Sequence, residues 1–173
     1  MNRVSRLGTA AVLTGITAVA AAVSFSQQSK TVQKEPAMTD HASGPFEVKM
    51  TPQKPDNSVS ETAGFTRMSG EKQFHGALEA TSKVEMLAIS PDAKGSGVYV
   101  ALERVTGTLK GKSGSFALHH TGIMNRGVPQ LSIEVVPDSG TGQLTGLTGK
   151  MTINIAKDGK HSYDFEYSLA EAQ

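Results

Sequence analysis

Apolar and polar side chains alternate in short runs from residue 46 onward, a pattern typical of half-buried β-strands. The alternation predicts eight strands, at approximately residues 46–50, 65–75, 77–90, 98–109, 115–124, 131–136, 151–155 and 163–169. Residues 77–90 could form a helix by propensity, but the spacing of Val84, Met86 and Ala88 at every second position favours a strand. No segment of helical periodicity separates the strands. We therefore expect an all-β domain.

The connections between these strands favour antiparallel pairing. Gly111–Gly114 (GKSG) and Lys157–Lys160 (KDGK) have the composition of hairpin turns. Residues 137–149 are rich in Gly and Thr and have room for one turn of helix. Eight antiparallel strands are enough to close an up-and-down β-barrel, with an open sandwich as the alternative. The 18 glycines suit the kinks and bulges of strongly coiled strands.

The N-terminal segment has the pattern of a secretory signal. Arg3 and Arg6 precede an uncharged, mostly apolar stretch at residues 7–25, and small residues cluster at Ala20–Ala22. We expect a signal peptide at residues 1–22, a disordered linker at 23–44 and the barrel domain at 45–170. The protein would then be secreted or periplasmic, with no stable membrane span after cleavage. A retained N-terminal anchor is the alternative.

Charge and composition exclude several classes of protein. Residues 1–22 hold two of the 17 cations and none of the 16 acids, so the mature chain would carry a net charge of −1. This balance argues against a nucleic-acid partner. The chain has no Cys, which excludes disulfides and thiolate-bound metals. Nucleophile-elbow, zincin and P-loop motifs are missing, and the five histidines lack the i, i+2 spacing that would direct two rings to one face. We expect neither metal nor cofactor.

Glu103 is the most informative carboxylate, because it lies mid-strand on the same face as Tyr99, Ala101 and Val105. If that face points into the barrel, burial should raise the pKa of Glu103 and make it a candidate general acid or base. It could equally face solvent and pair with a cation on a neighbouring strand. His120 shares a face with apolar residues and is the second catalytic candidate, although a buried, hydrogen-bonded imidazole is the simpler interpretation. The expected ligand-binding residues are Tyr99, Phe116, Leu118 and His161.

Three segments carry a family resemblance: ISPDAKGSGVYVALERVTGTLKGKSGSFALHHTG, VVPDSGTGQLTGLTGKMTI and GKHSYDFEYSL. Together with EKQFHGALEATSKVEML, they resemble an uncharacterised bacterial domain family over residues 46–169. The resemblance implies an eight-stranded barrel similar to allene oxide cyclase and to lipocalin-like shapes, and it implies no function. The matching polar positions are Glu85, Tyr99, Glu103, His120, Asp138 and His161. Val84 and His119 depart from the family's usual Gly and Gln.

Three functions are compatible with these patterns. The first is binding of a small apolar molecule inside the barrel, with Glu103 and His120 as polar anchors. The second is a cyclase- or isomerase-like enzyme that uses Glu103 in the same interior. The third is a filled, structural barrel that acts through homo-oligomerisation. The direction in which each strand face points decides among the candidate residues, because a register slip of one residue exchanges the two faces.

Overall fold

The computed structural model describes residues 38–91 and 94–169. These residues form eight strands, one five-residue helix and one turn of 3₁₀ helix at Gly142–Leu144. The strands are β1 (Thr39–Gln53), β2 (Thr66–Phe74), β3 (Leu78–Ile89), β4 (Gly97–Leu109), β5 (Lys112–Asn125), β6 (Val128–Val135), β7 (Leu147–Ile155) and β8 (His161–Leu169), and the helix α1 is Ser58–Thr62. The predicted signal peptide and most of the predicted linker lie outside the described residues.

The strands close into an up-and-down antiparallel barrel, in which each strand pairs with its neighbours in sequence. β1 completes the ring by pairing with β8, from Thr39 opposite Ser168 to Phe46 opposite His161. The prediction of an eight-stranded antiparallel barrel is therefore confirmed, and the open sandwich is excluded. The 3₁₀ turn also confirms the expected turn of helix between residues 137 and 149.

One joint of the barrel is much shorter than the others. β6 and β7 share a single residue pair, Glu134 opposite Lys150. Every residue of β6 pairs with β5, and every residue of β7 pairs with β8. The facing edges of β6 and β7 are therefore unpaired except at Glu134 and Lys150. Leu131 and Ile155, on the unpaired parts of these two strands, are 45% and 66% exposed although they line the barrel interior. The interior is thus least enclosed along this joint.

The structure corrects three details of the sequence interpretation. β1 begins at Thr39, so residues 39–44 belong to the barrel and not to the linker. This segment lacks apolar periodicity because only Ala42 is buried, and backbone pairing with β8 holds it in place. The turn between β4 and β5 is Lys110–Gly111, both with positive φ, so Gly114 lies within β5. The loop after β1 contains α1, which Asn57 caps by accepting from the N–H of Ser60.

The barrel interior divides into two halves. The packed half lies at the end where β4 finishes, and its tightly buried side chains are Leu78, Leu109, Phe116, Leu118, Leu144, Leu147 and Phe165. Phe165 stacks between Phe116 and Tyr167, with ring centroids 5.7 and 5.3 Å away. Leu144, from the 3₁₀ turn, is 1% exposed and joins this core. The open half lies at the end where β4 begins, and it contains the candidate site.

Candidate functional site

A cavity of about 250 Å³ occupies the open half of the barrel, and all eight strands contribute to its wall. The apolar side chains of the wall are Phe46, Val48, Met50, Val84, Met86, Ala101, Leu131, Ile153 and Ile155. The polar side chains are Lys72, Tyr99, His120 and His161. Larger depressions, of about 780 and 660 Å³, lie mainly against outward-facing residues of β1–β5 and the loop that contains α1. The interior cavity is the better candidate for a ligand site, because all eight strands line it and most of its wall is apolar.

Glu103 is 1% exposed and lies at the centre of a buried polar cluster. Lys72 donates from Nζ to Oε2 of Glu103 over 2.6 Å. Ser82 donates from Oγ to Oε1 over 2.5 Å. Nε2 of His120 lies 2.9 Å from Oε2. The structure therefore places Glu103 inside the barrel, on the same face of β4 as Tyr99, Ala101 and Val105.

The expected direction of the Glu103 pKa shift is wrong. Burial is the largest single influence and on its own would raise the pKa. However, His120, Lys72 and Ser82 together outweigh burial and hold the pKa of Glu103 below its usual value. Glu103 is thus an ionised carboxylate at neutral pH, matched by the ammonium group of Lys72. This state does not suit a general acid, which needs a proton to give.

His120 is incompletely satisfied. Its Nε2 is buried and has no hydrogen bond of good geometry among the described residues, because the nearby oxygen of Glu103 lies off the direction in which a ring N–H would point. The short distance still places the ring in contact with a fixed negative charge.

Sequence reasoning missed two residues of the cluster, Ser82 and Lys72, and Lys72 is the one that carries a charge. It lies on β2 between Glu71 and Gln73, and its neighbourhood in the sequence is polar. The sequence did contain one signal: Lys72 and Phe74 are two residues apart on a strand, so their side chains point to the same face, which is the interior. Nζ lies 5.5 Å from the ring centroid of Phe46 and 5.7 Å from that of Phe74, so aromatic faces also hold the ammonium group.

Four predicted ligand residues separate into two pairs. Tyr99 and His161 line the cavity, where burial, followed by the charge of Glu103, raises the pKa of Tyr99. The ring of His161 lies 5.2 Å from that of Phe46. Phe116 and Leu118 are inward-facing but fully buried in the packed half, so the structure does not place them at the cavity.

Two further polar positions of the family resemblance lie away from the cluster. Glu85 points outward and accepts from Arg67 over 3.3 Å. Asp138 lies in the connection between β6 and β7 with a positive φ of 58°. Within residues 38–91 and 94–169, no three His, Asp or Glu side chains form a group that could hold a metal ion. None of the described helices is long and apolar enough to cross a membrane.

The fold and the site together define a class: a small, closed, up-and-down β-barrel with an ion cluster buried beside an internal cavity. The chain belongs to a family of proteins of unknown function, DUF3224, whose model matches residues 42–167. It is similar to the crystal structure of a DUF3224 protein of unknown function from Shewanella oneidensis MR-1. The two are 43% identical, the match covers 77% of this chain and 99% of the other, and the TM-score is 0.70. No curated protein sequence matches the chain.

Proposed function

We propose that the protein binds a small apolar molecule in the open half of its barrel. The observation that carries this proposal is the cavity of about 250 Å³, with apolar walls from β1, β3, β4, β6 and β7 and polar side chains from β2, β4, β5 and β8. Ligand sites commonly combine such walls with a few polar groups that fix orientation. The volume is slightly below the ~300–1,000 Å³ of drug-sized sites, which suits a smaller molecule.

The first experiment is native mass spectrometry of the mature protein purified from its own source. We expect a complex heavier than the polypeptide by one small molecule, which is released on unfolding. The spectrum would also report the N-terminus and the number of subunits, and so test two associated proposals: export after cleavage near residue 22, and homo-oligomerisation. A protein of purely polypeptide mass, under conditions that preserve a known barrel complex, would contradict ligand binding.

A pair of neighbouring substitutions tests where the ligand binds. Ala101 lines the cavity and is 6% exposed, whereas Val100 points outward and is 53% exposed. Ala101→Phe should fill the cavity and remove the bound molecule, whereas Val100→Phe should leave it in place. Both variants need circular dichroism spectra like that of the wild type. Equal loss of the ligand in both would place the binding site elsewhere.

Enzymatic activity of the cyclase or isomerase type is the second candidate, and the contact between Glu103 and His120 favours it. In this version Glu103 stabilises positive charge on His120 or on a reacting group, and it does not itself donate a proton. Glu103→Gln should then retain the bound molecule but lose its conversion. The likeness to allene oxide cyclase suggests this chemistry only by analogy of fold. The cavity supports either version over the filled, structural barrel.

A further inference from the structure

We propose that the ligand is a small apolar carboxylic acid, bound as its carboxylate and taken up together with one proton on His120. This inference rests on the proposed function and specifies the class of ligand. It follows from the polar groups that the cavity offers, from the balance of charge around them, and from the size of the cavity.

Each polar group facing the cavity can donate a hydrogen bond, and none of them is an anion. They are the ammonium of Lys72, the hydroxyl of Tyr99 and the imidazoles of His120 and His161. The raised pKa of Tyr99 keeps its hydroxyl protonated at neutral pH. The single carboxylate of the cluster is already engaged, because Ser82 donates to one oxygen of Glu103 and Lys72 donates to the other. A ligand therefore finds one cation and several donors but no free anion, which favours a polar end that accepts hydrogen bonds and carries negative charge.

The balance of charge explains why a proton accompanies the ligand. Lys72 and Glu103 form a neutral pair, so a bound carboxylate would leave one negative charge unmatched in a largely apolar cavity, which is costly. The titratable groups around His120 are Lys72 on β2, Tyr99 and Glu103 on β4, and His161 on β8. Protonated His120 restores neutrality. An imidazolium has two N–H groups, one beside Glu103 and one left for a further acceptor.

The apolar body of the ligand must be short. The cavity holds about 250 Å³, and Met50, Met86 and Ile153 contribute flexible or branched apolar surface to its wall. Octanoate is a suitable probe, because octanol and octylamine have the same hydrocarbon chain and differ only at the polar end. Octanol can accept a hydrogen bond but carries no charge, and octylammonium carries the charge that the cavity should reject.

Calorimetric titration of the wild-type mature protein with these three probes tests the class of ligand. At pH 6.5 we expect octanoate to bind at least tenfold more tightly than octanol, and octylamine to bind most weakly. Titration at pH 8 in two buffers of different ionisation enthalpy should show uptake of close to one proton with octanoate, because an ordinary imidazole is almost fully neutral at that pH before a ligand binds. Between pH 7 and 8 the affinity for octanoate should fall about tenfold, as one linked proton requires, while the affinity for octanol should change little.

Two neighbouring histidines give a matched pair of variants. His120 faces the cavity, whereas His119 lies on the opposite face of β5. His120→Gln should lower the affinity for octanoate to that for octanol and abolish proton uptake. His119→Gln should leave both unchanged. The comparison of the three probes on the wild type does not depend on how well either variant folds.

The outcomes separate this inference from the proposed function. If octanol binds as tightly as octanoate, the cavity binds apolar molecules, but the inference that its ligand is a carboxylic acid is wrong. If octanoate binds best without proton uptake, the role of His120 is wrong. If none of the three probes binds and native mass spectrometry finds no bound molecule, both the inference and the proposed function fail.

Discussion

The two halves of the barrel share the same eight strands but differ in what fills them. In the packed half, the stacked rings of Phe116, Phe165 and Tyr167 meet Leu144 from the 3₁₀ turn, and little space is left. In the open half, a charged cluster lies beside a cavity. A barrel of this size can hold either side chains or a small ligand. Here one half stabilises the fold and the other remains free to bind.

The two ends also differ in how they hold a carboxylate. Asp40, near the packed end, is exposed; the ammonium of Lys110 and then the hydroxyl of Tyr167 lower its pKa to about 2. Glu103 is buried, and its partners must first offset the effect of burial. The direction of the shift is the same in both cases. Only Glu103, however, would be left as an unpaired buried charge if its cation were removed.

The largest expected loss of stability comes from truncating a side chain in the packed half. Phe165 is 0% exposed and stacks on two rings, so Phe165→Ala should lower the free energy of unfolding by about 3–5 kcal/mol. Urea denaturation, with the slope compared between variants, measures this loss. Ile155→Ala is the control from the open half, because Ile155 is 66% exposed and its truncation should cost below about 1 kcal/mol. Equal losses would mean that the two halves do not differ in packing.

The next largest effect comes from separating the buried ion pair. Lys72→Met leaves Glu103 charged and buried, which should cost about 3 kcal/mol, the lower end of the usual range because the adjacent cavity can admit water. Lys72→Met combined with Glu103→Gln should recover at least half of this loss in the same denaturation experiment. Lys83→Met, which breaks the exposed pair with Glu71, should leave the free energy of unfolding nearly unchanged, because water screens both charges. A double variant no more stable than Lys72→Met would contradict this account of the cluster.

Acidification should destabilise the folded protein by protonating Glu103 in the open half. Because the folded protein holds the pKa of Glu103 below the unfolded value of 4.5, ionised Glu103 contributes stability above that pH. The contribution is lost as the pH falls through the lower, folded value. Denaturation midpoints measured from pH 6 to pH 3 should therefore fall less steeply in Glu103→Gln than in the wild type. Glu47→Gln, an exposed carboxylate of β1, should follow the wild type; identical slopes in all three proteins would refute the prediction.

The smallest expected effect concerns the shape of the cavity. Gly122 lies opposite Tyr99 in the pairing of β4 with β5, and a Cβ at Gly122 would lie 2.0 Å from the ring of Tyr99. Gly122→Ala should displace the ring at a cost of about 1 kcal/mol, because a side chain can move where a backbone cannot. Changed NMR shifts of Tyr99 and His120, together with weaker octanoate binding, would show this displacement. If the shifts of Phe165 changed instead, the two halves would be more strongly coupled than the packing indicates.

Much of the fold follows from local sequence patterns. The alternation along residues 98–109 correctly predicts β4 and places Glu103 on the same face as Tyr99 and Val105. The alternation in β5 places His120 with Phe116 and Leu118. Residues 39–44 could not be assigned in this way. Their pairing with β8 relies on backbone hydrogen bonds across more than a hundred residues of sequence, and polar side chains carry no signal of it.

The candidate site was only partly predictable. Glu103, His120 and Tyr99 were identified from their positions on strands, and His161 matched a polar position of the family resemblance. Lys72 was not identified, because a lysine in a polar segment is usually solvent-exposed. Phe116 and Leu118 do point into the barrel, but they lie in its packed half and not at the cavity. Whether a side chain points inward depends on its own strand. Its position along the barrel axis depends on the registers of all eight strands.

The sequence by itself predicted an all-β domain of eight antiparallel strands, and it placed Glu103 on one face with Tyr99 and His120 on one face with Phe116, because side-chain alternation is a local property of an extended chain. The tertiary structure decided that both faces point into a closed barrel. The tertiary structure alone decided that Lys72, 31 residues from Glu103, supplies the matching charge. It therefore also decided that the pKa of Glu103 is lowered and not raised. Burial can be inferred from a pattern, but the sign of a pKa shift depends on which charges lie within a few ångströms, and only closure of the barrel fixes those distances.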